Sequence, residues 1–343
     1  MSTTYHLGAT PRNDCAPAGI DGTGRGDTGQ INSTQYIPHG AVQQHPDPLP
    51  AFRQAMADAG LPQPDTITPD GDLHRFHVDG DRPGTKNGWY VLHLNGLPAG
   101  AAGSWRTGQT VTWCAKRHDR LTAGDRARID ALVAQARRQR QAEQDRVHSA
   151  AAARAAWVWD RAQPALFHDY LARKGVLPFG TRVTADGRLI VPIRDGETIT
   201  SLQFIAPDGE KRFLTGGRIS GCWFAIDSGK RPCPVVICEG FATGATLHQE
   251  TGAPVIVAFN AGNLAPVARK IRHLHPQAEI IIAADNDAWS SGNPGLSKAR
   301  SAALEIRAKL LAPDFSGMDV SGRPTDWNDW YSLRHQGRQG VAA

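Results

Sequence analysis

Acidic residues follow two apolar segments in the last third of the chain, in a pattern suited to binding divalent cations. Glu239 comes directly after the Val/Ile-rich run 234–238. Asp285 and Asp287 come directly after a similar run at 279–284. Ligands of open α/β sheets lie outside the carboxyl ends of the strands, so these carboxylates are expected at one edge of a sheet. Alternate residues of an extended segment point the same way, which lets the two aspartates share one cation.

Clustered carboxylates repel one another unless a cation neutralises them, and hard oxygen ligands select Mg²⁺ or Mn²⁺. Two such ions can activate an attacking hydroxyl and stabilise the leaving oxygen of a phosphoryl transfer. Acidic residues are common after strands, so an isolated Asp-x-Asp would say little. Glu-Gly at one strand end together with Asp-x-Asp at another is more specific. The pattern therefore predicts a metal-dependent phosphoryl-transfer site.

The elements around these residues predict an α/β fold. Short apolar runs at 234–238, 254–259 and 279–284 are separated by helical stretches, which is the rhythm of a mostly parallel sheet covered on both faces. Ahead of them, the run 188–194 and two Asp-Gly turns predict antiparallel strands. An Ala- and Arg-rich stretch from 121 to about 163 predicts one long helix or two joined helices.

The expected organisation of the chain has five parts. They are a tail without fixed structure at 1–46, a small β-rich module at 47–114, a helical linker region at 115–180, a basic strand-rich subdomain at 181–232 and the catalytic α/β domain at 233–343. In the β-rich module, Trp89, Tyr90 and Trp105 are candidates for stacking on single-stranded bases, with the alternative that they form the core of the module.

Two segments resemble the signature motifs of the TOPRIM domain, which is shared by bacterial-type primases, topoisomerases and some nucleases. They are VVICEGFATGAT at 235–246 and IIIAADND at 280–287. This resemblance implies a Rossmann-like sheet in which Glu239, Asp285 and Asp287 are the metal-coordinating catalytic acids. It also makes Glu239 the candidate general base.

Further segments look most like the primases of plasmids and phages. AFNAGNL at 258–264 and NPGLSKA at 293–299 have this character, and RPTDWND at 323–329 is similar to the closing motif of such proteins. By resemblance the structural glycines of the loop after the first strand are Gly240 and Gly244, the candidate nucleotide or DNA contacts are Asn260, Asn263 and Lys298, and the weaker metal candidates are Asp326 and Asp329. The last two are equally well explained as helix caps.

The segments 188–194 and 211–218 resemble the basic subdomain that precedes TOPRIM in primases and grips template and nucleoside triphosphates. The residues concerned are Arg188, Lys211, Arg212 and Arg218. If they faced the acidic edge together, they would hold phosphates that metal ions alone do not position. Ordinary surface charge explains each of them singly.

Composition is consistent with a polyanionic partner. The net charge is +5 and the pI about 9.1. The five cysteines form no Cys-x-x-Cys pair, so no zinc is expected, and the absence of a long apolar run indicates a cytoplasmic protein that does not contact the membrane. No GxxxxGK[ST] motif occurs, so a separate helicase is expected to open the duplex.

The leading hypothesis is a Mg²⁺- or Mn²⁺-dependent primase-type nucleotidyltransferase. It would synthesise short primers from nucleoside triphosphates on single-stranded DNA in plasmid or phage replication. One alternative is a TOPRIM nuclease, which uses the same metals but attacks with water. The other is a non-catalytic accessory protein that binds single strands during replication.

Overall fold

The computed structural model describes residues 34–35, 47–116, 121–227 and 234–341, with side chains except at 34–35 and 336–341. The chain divides into two compact units, Met1–Gln139 and Arg140–Ala343, and the division falls within helix α2 (Ala123–Arg161). The tail expected over 1–46 lies outside the described residues except at Thr34–Gln35. Those two residues form strand β1.

The first unit is built on a five-stranded sheet, ordered β1-β5-β4-β3-β2. Its other strands are β2 (His74–Phe76), β3 (Gly88–His93), β4 (Ala99–Ser104) and β5 (Thr110–Cys114). All pairings are antiparallel except that of β1 with β5. Helix α1 (Pro48–Asp58) begins at Asp47, whose carboxylate accepts from the backbone N–H of Leu49.

Alternation along β3 gives this sheet two apolar faces. Tyr90 packs in one core with Phe52 and Met56 of α1, whereas Trp89 packs in another with Ala136 of α2. Both β3 aromatic residues are buried. They form part of the packed module, which is the alternative considered for them.

The second unit contains an antiparallel sheet ordered β10-β9-β8-β7-β6. Its strands are β6 (Gln163–Pro164), β7 (Arg182–Val183), β8 (Leu189–Asp195), β9 (Thr198–Ile205) and β10 (Lys211–Phe213), and the short helix α3 (Asp169–Lys174) lies between β6 and β7. One face, with Ile190 and Phe204, packs on Trp159 of α2. The opposite face, with Val191 and Ile205, belongs to the core of the following α/β domain.

A second sheet of this unit is ordered β11-β13-β12-β14-β15 and is parallel except for β11. Its strands are β11 (Phe224–Ile226), β12 (Val235–Cys238), β13 (Val255–Val257), β14 (Ile280–Ala283) and β15 (Lys309–Leu311). The helices are α4 (Phe241–Thr251), α5 (Leu264–Leu274), α6 (Pro294–Ile306) and α7 (Trp327–Val341).

Apolar side chains fill both sides of this parallel sheet. Phe241 and Ala245 of α4 pack on one face, and Val267 of α5 and Ala302 of α6 belong to the core on the other. A parallel sheet covered by helices on both faces needs strands that are apolar throughout, as these are. The predicted fold class is confirmed, including the antiparallel sheet, the long helix and the β-rich module that precede the α/β domain.

The two glycines expected in the loop after β12 have different positions. Gly240 is the N-cap of α4 with φ −101°, which any residue can adopt. Gly244 lies inside α4 and not in a loop. A Cβ there would be 2.8 Å from Val257 Cγ2 and 3.1 Å from Cys238 Sγ, so glycine permits the close approach of α4 to the sheet.

No helix in the described parts of the chain is both long enough and apolar enough to cross a bilayer.

Candidate active site

The parallel register brings the predicted catalytic acids to one edge of the sheet. β12 lies between β13 and β14, and Cys238 is paired with Ala283. Glu239 therefore follows β12 at the level of Ala284, and Asp285 comes one residue later. Because both strands run in the same direction, their carboxyl ends open onto the same edge, where ligands of such sheets bind.

Asp285 is the most perturbed carboxyl group of this edge. Burial raises its pKa to about 8, and the charges of Asp326, Glu239 and Asp287 add to the effect, while Lys211 opposes it. Its Oδ1 atom is buried and has no hydrogen-bond partner among the described residues. A buried carboxylate that lacks a donor and is surrounded by other carboxylates is destabilised as an anion.

The pKa of Glu239 is raised as well. Burial raises its pKa, and the charge of Asp287 raises it further. A hydrogen bond with the backbone of Ala261 and the charges of Lys211 and Lys298 lower it. Glu239 is thus coupled to another carboxylate and also to two lysines, one from β10 and one from α6.

The N-terminus of α6 holds Asp287 in place. The backbone N–H of Gly295 donates to Asp287 Oδ2 at 3.2 Å, where the helix dipole also favours a negative charge. A Cβ at position 295 would lie 2.6 Å from that oxygen, so a side chain there would displace the carboxylate. Sequence reasoning did not identify Gly295. The signal available was a glycine directly after the proline that starts a helix, eight residues beyond Asp287.

Asn286 points away from the carboxylates, as alternation along the segment predicts. Its Nδ2 donates to the carbonyl of Pro313 at 3.1 Å, and its Oδ1 accepts from Asn293 Nδ2 at 2.8 Å. Asn293 is itself the N-cap of α6. These hydrogen bonds hold the Asn286 side chain on one side of the segment between β14 and α6. Asp285 and Asp287 can therefore lie together on the other side.

Asp326 and Asp329 make the hydrogen bonds of a helix cap. Asp326 Oδ1 accepts from the backbone N–H of Asp329 at 2.9 Å, and Asp329 Oδ2 accepts from the backbone N–H of Thr325 at 3.0 Å. Asp326 Oδ2 also accepts from Thr243 Oγ1 at 3.2 Å. Burial, followed by the charge of Asp329, raises the pKa of Asp326. Asp326 belongs to the acidic edge through its effect on Asp285, whereas Asp329 forms an ion pair with Lys174 at 3.4 Å.

The described residues contain no group of three or more His, Cys, Asp or Glu side chains already arranged around a single metal position. The chemistry of the donor set nevertheless fits a hard divalent cation. Glu239 and Asp285 both have raised pKa values, partly because neighbouring carboxylates repel them, and Asp285 Oδ1 lacks a partner. A bound cation would remove that repulsion and supply the missing partner.

Strand alternation separates the two basic residues of β10. Lys211 is paired with Ile205 of β9 and lies on the face turned towards the α/β core, and its charge acts on Glu239 and Asp285. Arg212 is paired with Phe204, which faces α2. Only Lys211 of this pair therefore contributes to the acidic edge.

The three arginines of the expected basic group are paired with other carboxylates. Arg212 contacts Glu210 at 2.7 Å. Arg188 contacts Asp186 at 2.6 Å and lies over the Phe204 ring at 4.5 Å. Arg218 contacts Asp195 at 2.7 Å, and Asp195 also binds Lys270 at 2.9 Å. The structure thus does not bring the four expected cations together, because only Lys211 is coupled to the acids.

The two asparagines expected to contact nucleotide or DNA are engaged within the fold. Asn260 caps a short 3-10 turn (Ala261–Asn263) by accepting from the backbone N–H of Asn263 at 3.0 Å. Asn263 is buried, and its side chain accepts from Gly221 N at 2.7 Å and donates to the carbonyls of Cys222 and Ala258 at 2.9 and 2.8 Å. Its amide hydrogens are both used, which indicates a structural role.

Lys298 is the remaining candidate. It is exposed near the start of α6, and its charge lowers the pKa of Glu239. Among the described residues, Lys211 of β10 and Lys298 of α6 are thus both coupled to the candidate catalytic acids.

The sequence is similar to a known domain family and to two curated proteins. Residues 234–338 match the family model described as the Toprim domain. Two curated relatives, both named DNA primase TraC from Escherichia coli, are 33% identical over 296 residues and 32% identical over 295 residues. Each alignment covers 80% of this chain, but only 20% and 27% of the respective relative. The chain thus spans about a quarter or less of the length of these proteins.

Solved structures give weaker likenesses. A crystal structure of a DNA primase domain from Pseudomonas aeruginosa has 16% identity and a TM-score of 0.29, covering 41% of this chain and 50% of that one. The DnaG primase catalytic domain bound to single-stranded DNA has 12% identity and a TM-score of 0.35, covering 57% and 82%. The sequence relatives and the family model confirm the expected resemblance to TOPRIM-domain primases, and the match to the Toprim domain covers residues 234–338.

Proposed function

We propose that this protein is a metal-dependent nucleotidyltransferase that synthesises short primers on single-stranded DNA. A 3′-hydroxyl attacks the α-phosphate of a nucleoside triphosphate, and pyrophosphate leaves. The observation that carries the proposal is the buried, unpartnered Oδ1 of Asp285 amid the charges of Glu239, Asp287 and Asp326. The similarity to proteins named as DNA primases supports this class of reaction.

Glu239, Asp285 and Asp287 would hold Mg²⁺ or Mn²⁺. When bound, the ions supply activation of the attacking hydroxyl and neutralise charge on the leaving oxygen. Glu239 is also the proposed base that takes the proton of that hydroxyl, because it directly follows β12 at the edge where the other acids lie. Asp326 orients the site from the start of α7 and adds negative charge beside Asp285.

Lys211 and Lys298 are proposed to bind the phosphates of the nucleotide. Both already act on Glu239 across the acidic edge, and both side chains are exposed. Lysine is a mobile point charge that can follow a triphosphate as it reacts. Arg188, Arg212 and Arg218 are instead proposed as contacts for the DNA backbone away from the reacting atoms, since each is at least one third exposed.

The proposed roles are assigned to successive segments of the chain. The strand-rich segment 181–232 supplies Lys211 and the peripheral arginines, and the domain from 233 onward supplies the acids. The module at 47–114 is proposed as a further contact for single-stranded DNA. A protein of this kind would act in the cytoplasm during plasmid or phage replication, with a separate replicative helicase opening the duplex.

The test is incubation with single-stranded DNA, labelled ribonucleoside triphosphates and Mg²⁺ or Mn²⁺. The wild type is compared with Asp285→Asn and with Asp130→Asn, a control at an exposed position of α2. Short labelled products from the wild type and the control, but not from Asp285→Asn, are expected. Metal-dependent cutting of the DNA without synthesis would instead assign the site to a nuclease. Binding of DNA without either reaction would assign the chain to the accessory class.

A further inference from the structure

Trp289 differs from the other tryptophans of the chain because its ring faces are open. The remaining eight each contact an aromatic ring or a cation: Trp89, Trp105, Trp113, Trp157, Trp159, Trp223, Trp327 and Trp330. Within the described parts of the chain no ring or cation lies over Trp289, whose side chain is 47% exposed. Single exposed apolar side chains are common, as at Trp157, so it is the position of Trp289 beside the acidic segment that distinguishes it.

The ring is fixed at the rim of the acidic edge. Trp289 comes two residues after Asp287, and its Nε1 donates to the carbonyl of Pro324 at 3.1 Å. The backbone N–H of Asn286 donates to the carbonyl of Thr325 at 2.7 Å, one residue before Asp326. These two hydrogen bonds join the segment that carries Asp285 and Asp287 to the segment that carries Asp326.

The hydrogen bond from Nε1 satisfies the polar atom of the indole and restricts the orientation of the ring, leaving an apolar face for stacking. The residues that follow, Ser290, Ser291 and Gly292, are small and exposed. Gly292 adopts φ +75°, which turns the chain away before α6 begins.

We propose that Trp289 stacks on the base of the incoming nucleoside triphosphate. The inference rests on the proposed function, in which the acids would hold metal ions and the lysines bind the phosphates. A base lies one sugar away from its α-phosphate, so a flat apolar surface beside the acids is where the base would be supported. Stacking tolerates every base because each has a π-face. That property suits an enzyme that must accept all four nucleotides in turn.

The experiment measures equilibrium binding of ATP and of inorganic tripolyphosphate, both with Mg²⁺, by calorimetry. Trp289→Ala is expected to weaken ATP binding about fivefold or more, the lower end of the effect of losing one base stack. Binding of tripolyphosphate, which has no base, is expected to stay unchanged. Trp289→Phe retains a ring and is expected to restore most of the ATP affinity. Trp157→Ala is the matched control, because that ring is 58% exposed on α2 and stacks with Arg161.

Equal weakening of ATP and tripolyphosphate, or no change in either, would overturn the proposal. Weakened binding of single-stranded DNA with unchanged ATP affinity would place the ring against the template and overturn it as well. A failure of the stacking proposal can be told apart from a failure of the proposed function. If ATP binding depends on Trp289 but the protein makes no primers, the stacking proposal stands and the primase proposal is wrong. If the protein makes primers but its ATP affinity does not depend on Trp289, the primase proposal stands and the stacking proposal is wrong.

Discussion

Replacing Asp285 by Asn should stabilise the metal-free protein at neutral and alkaline pH. Asp285 is half-buried, its buried Oδ1 has no partner among the described residues, and neighbouring carboxylates repel its negative charge. Asparagine has nearly the same shape but carries no charge. The substitution therefore removes the electrostatic cost and leaves packing almost unchanged.

The pKa of this carboxyl group gives the magnitude. Its usual value of 3.8 is raised to about 8, with burial as the largest cause. In the folded protein the group stays protonated over an interval in which the unfolded chain ionises. Stability is thus fully present below the unfolded pKa and is lost progressively as the pH rises to the folded pKa. Each pH unit in that interval costs about 1.4 kcal/mol, so the whole interval costs on the order of 5 kcal/mol.

The assay is urea unfolding followed by far-ultraviolet circular dichroism, with a chelator present, at pH 5 and pH 8. We expect the free energy of unfolding of Asp285→Asn to exceed that of the wild type by about 2 kcal/mol or more at pH 8. This figure allows for the unpaired amide that replaces the carboxylate. The difference should shrink at pH 5, and added Mg²⁺ should stabilise the wild type but not Asp285→Asn. Asp130→Asn, at an exposed position, should match the wild type at both pH values.

Two results would contradict a destabilising charge on Asp285. A stability difference between Asp285→Asn and the wild type that is the same at pH 5 and pH 8 would show that ionisation of this group is not coupled to folding. A variant less stable than the wild type at pH 8 without metal would show that the carboxylate has a stabilising partner.

Four further substitutions test other parts of the site. Gly295→Ala should reduce primer synthesis at least tenfold while leaving the urea midpoint unchanged or higher, because the new Cβ would displace Asp287 while alanine favours the helix. Asn263→Ala should destabilise the fold by about 1–3 kcal/mol, measured by urea unfolding, without changing the KM for nucleotide among molecules that remain folded. Lys211→Ala should raise the KM for nucleotide in the primer assay, whereas Arg212→Ala, its neighbour on the opposite face, should leave that KM unchanged and weaken DNA binding at low salt.

The positions of the acids could be predicted from the sequence because they depend on local features. Apolar runs of strand length predicted β12 and β14, and residues directly after parallel strands must open onto one edge of the sheet. Alternation likewise predicted that Asn286 would turn away from Asp285 and Asp287. The long helix at 121–163 also followed from composition and periodicity, and it is a single helix, Ala123–Arg161.

The basic residues could not be placed in the same way. Whether Arg188 or Arg218 contacts the acids depends on which carboxylate lies beside it in the folded protein. Nothing in the sequence marks their partners, Asp186 and Asp195, as different from other acidic residues. The motif containing Asn263 predicted a ligand contact, yet its side chain bonds to backbone more than 40 residues away at Gly221. Long-range hydrogen bonds of this kind leave no periodic trace in a sequence.

Trp289 and Gly295 show a different limit. Both lie in the segment between β14 and α6, where composition indicates only a loop and a helix start. Their importance follows from contacts with Pro324 and Asp287 that a sequence without a structure does not reveal.

Template-directed incorporation of ribonucleotides distinguishes primer synthesis from the other reactions considered for the acidic site. Purified protein is supplied with a poly(dT) strand, Mg²⁺ and each labelled ribonucleoside triphosphate in turn, and release of pyrophosphate is measured beside product length. We expect adenosine nucleotides alone to be joined, with one pyrophosphate released for each bond, and we expect Asp285→Asn to make no product while Asp130→Asn behaves as the wild type. Joining that ignores the template, or product formed equally by Asp285→Asn, would contradict this expectation.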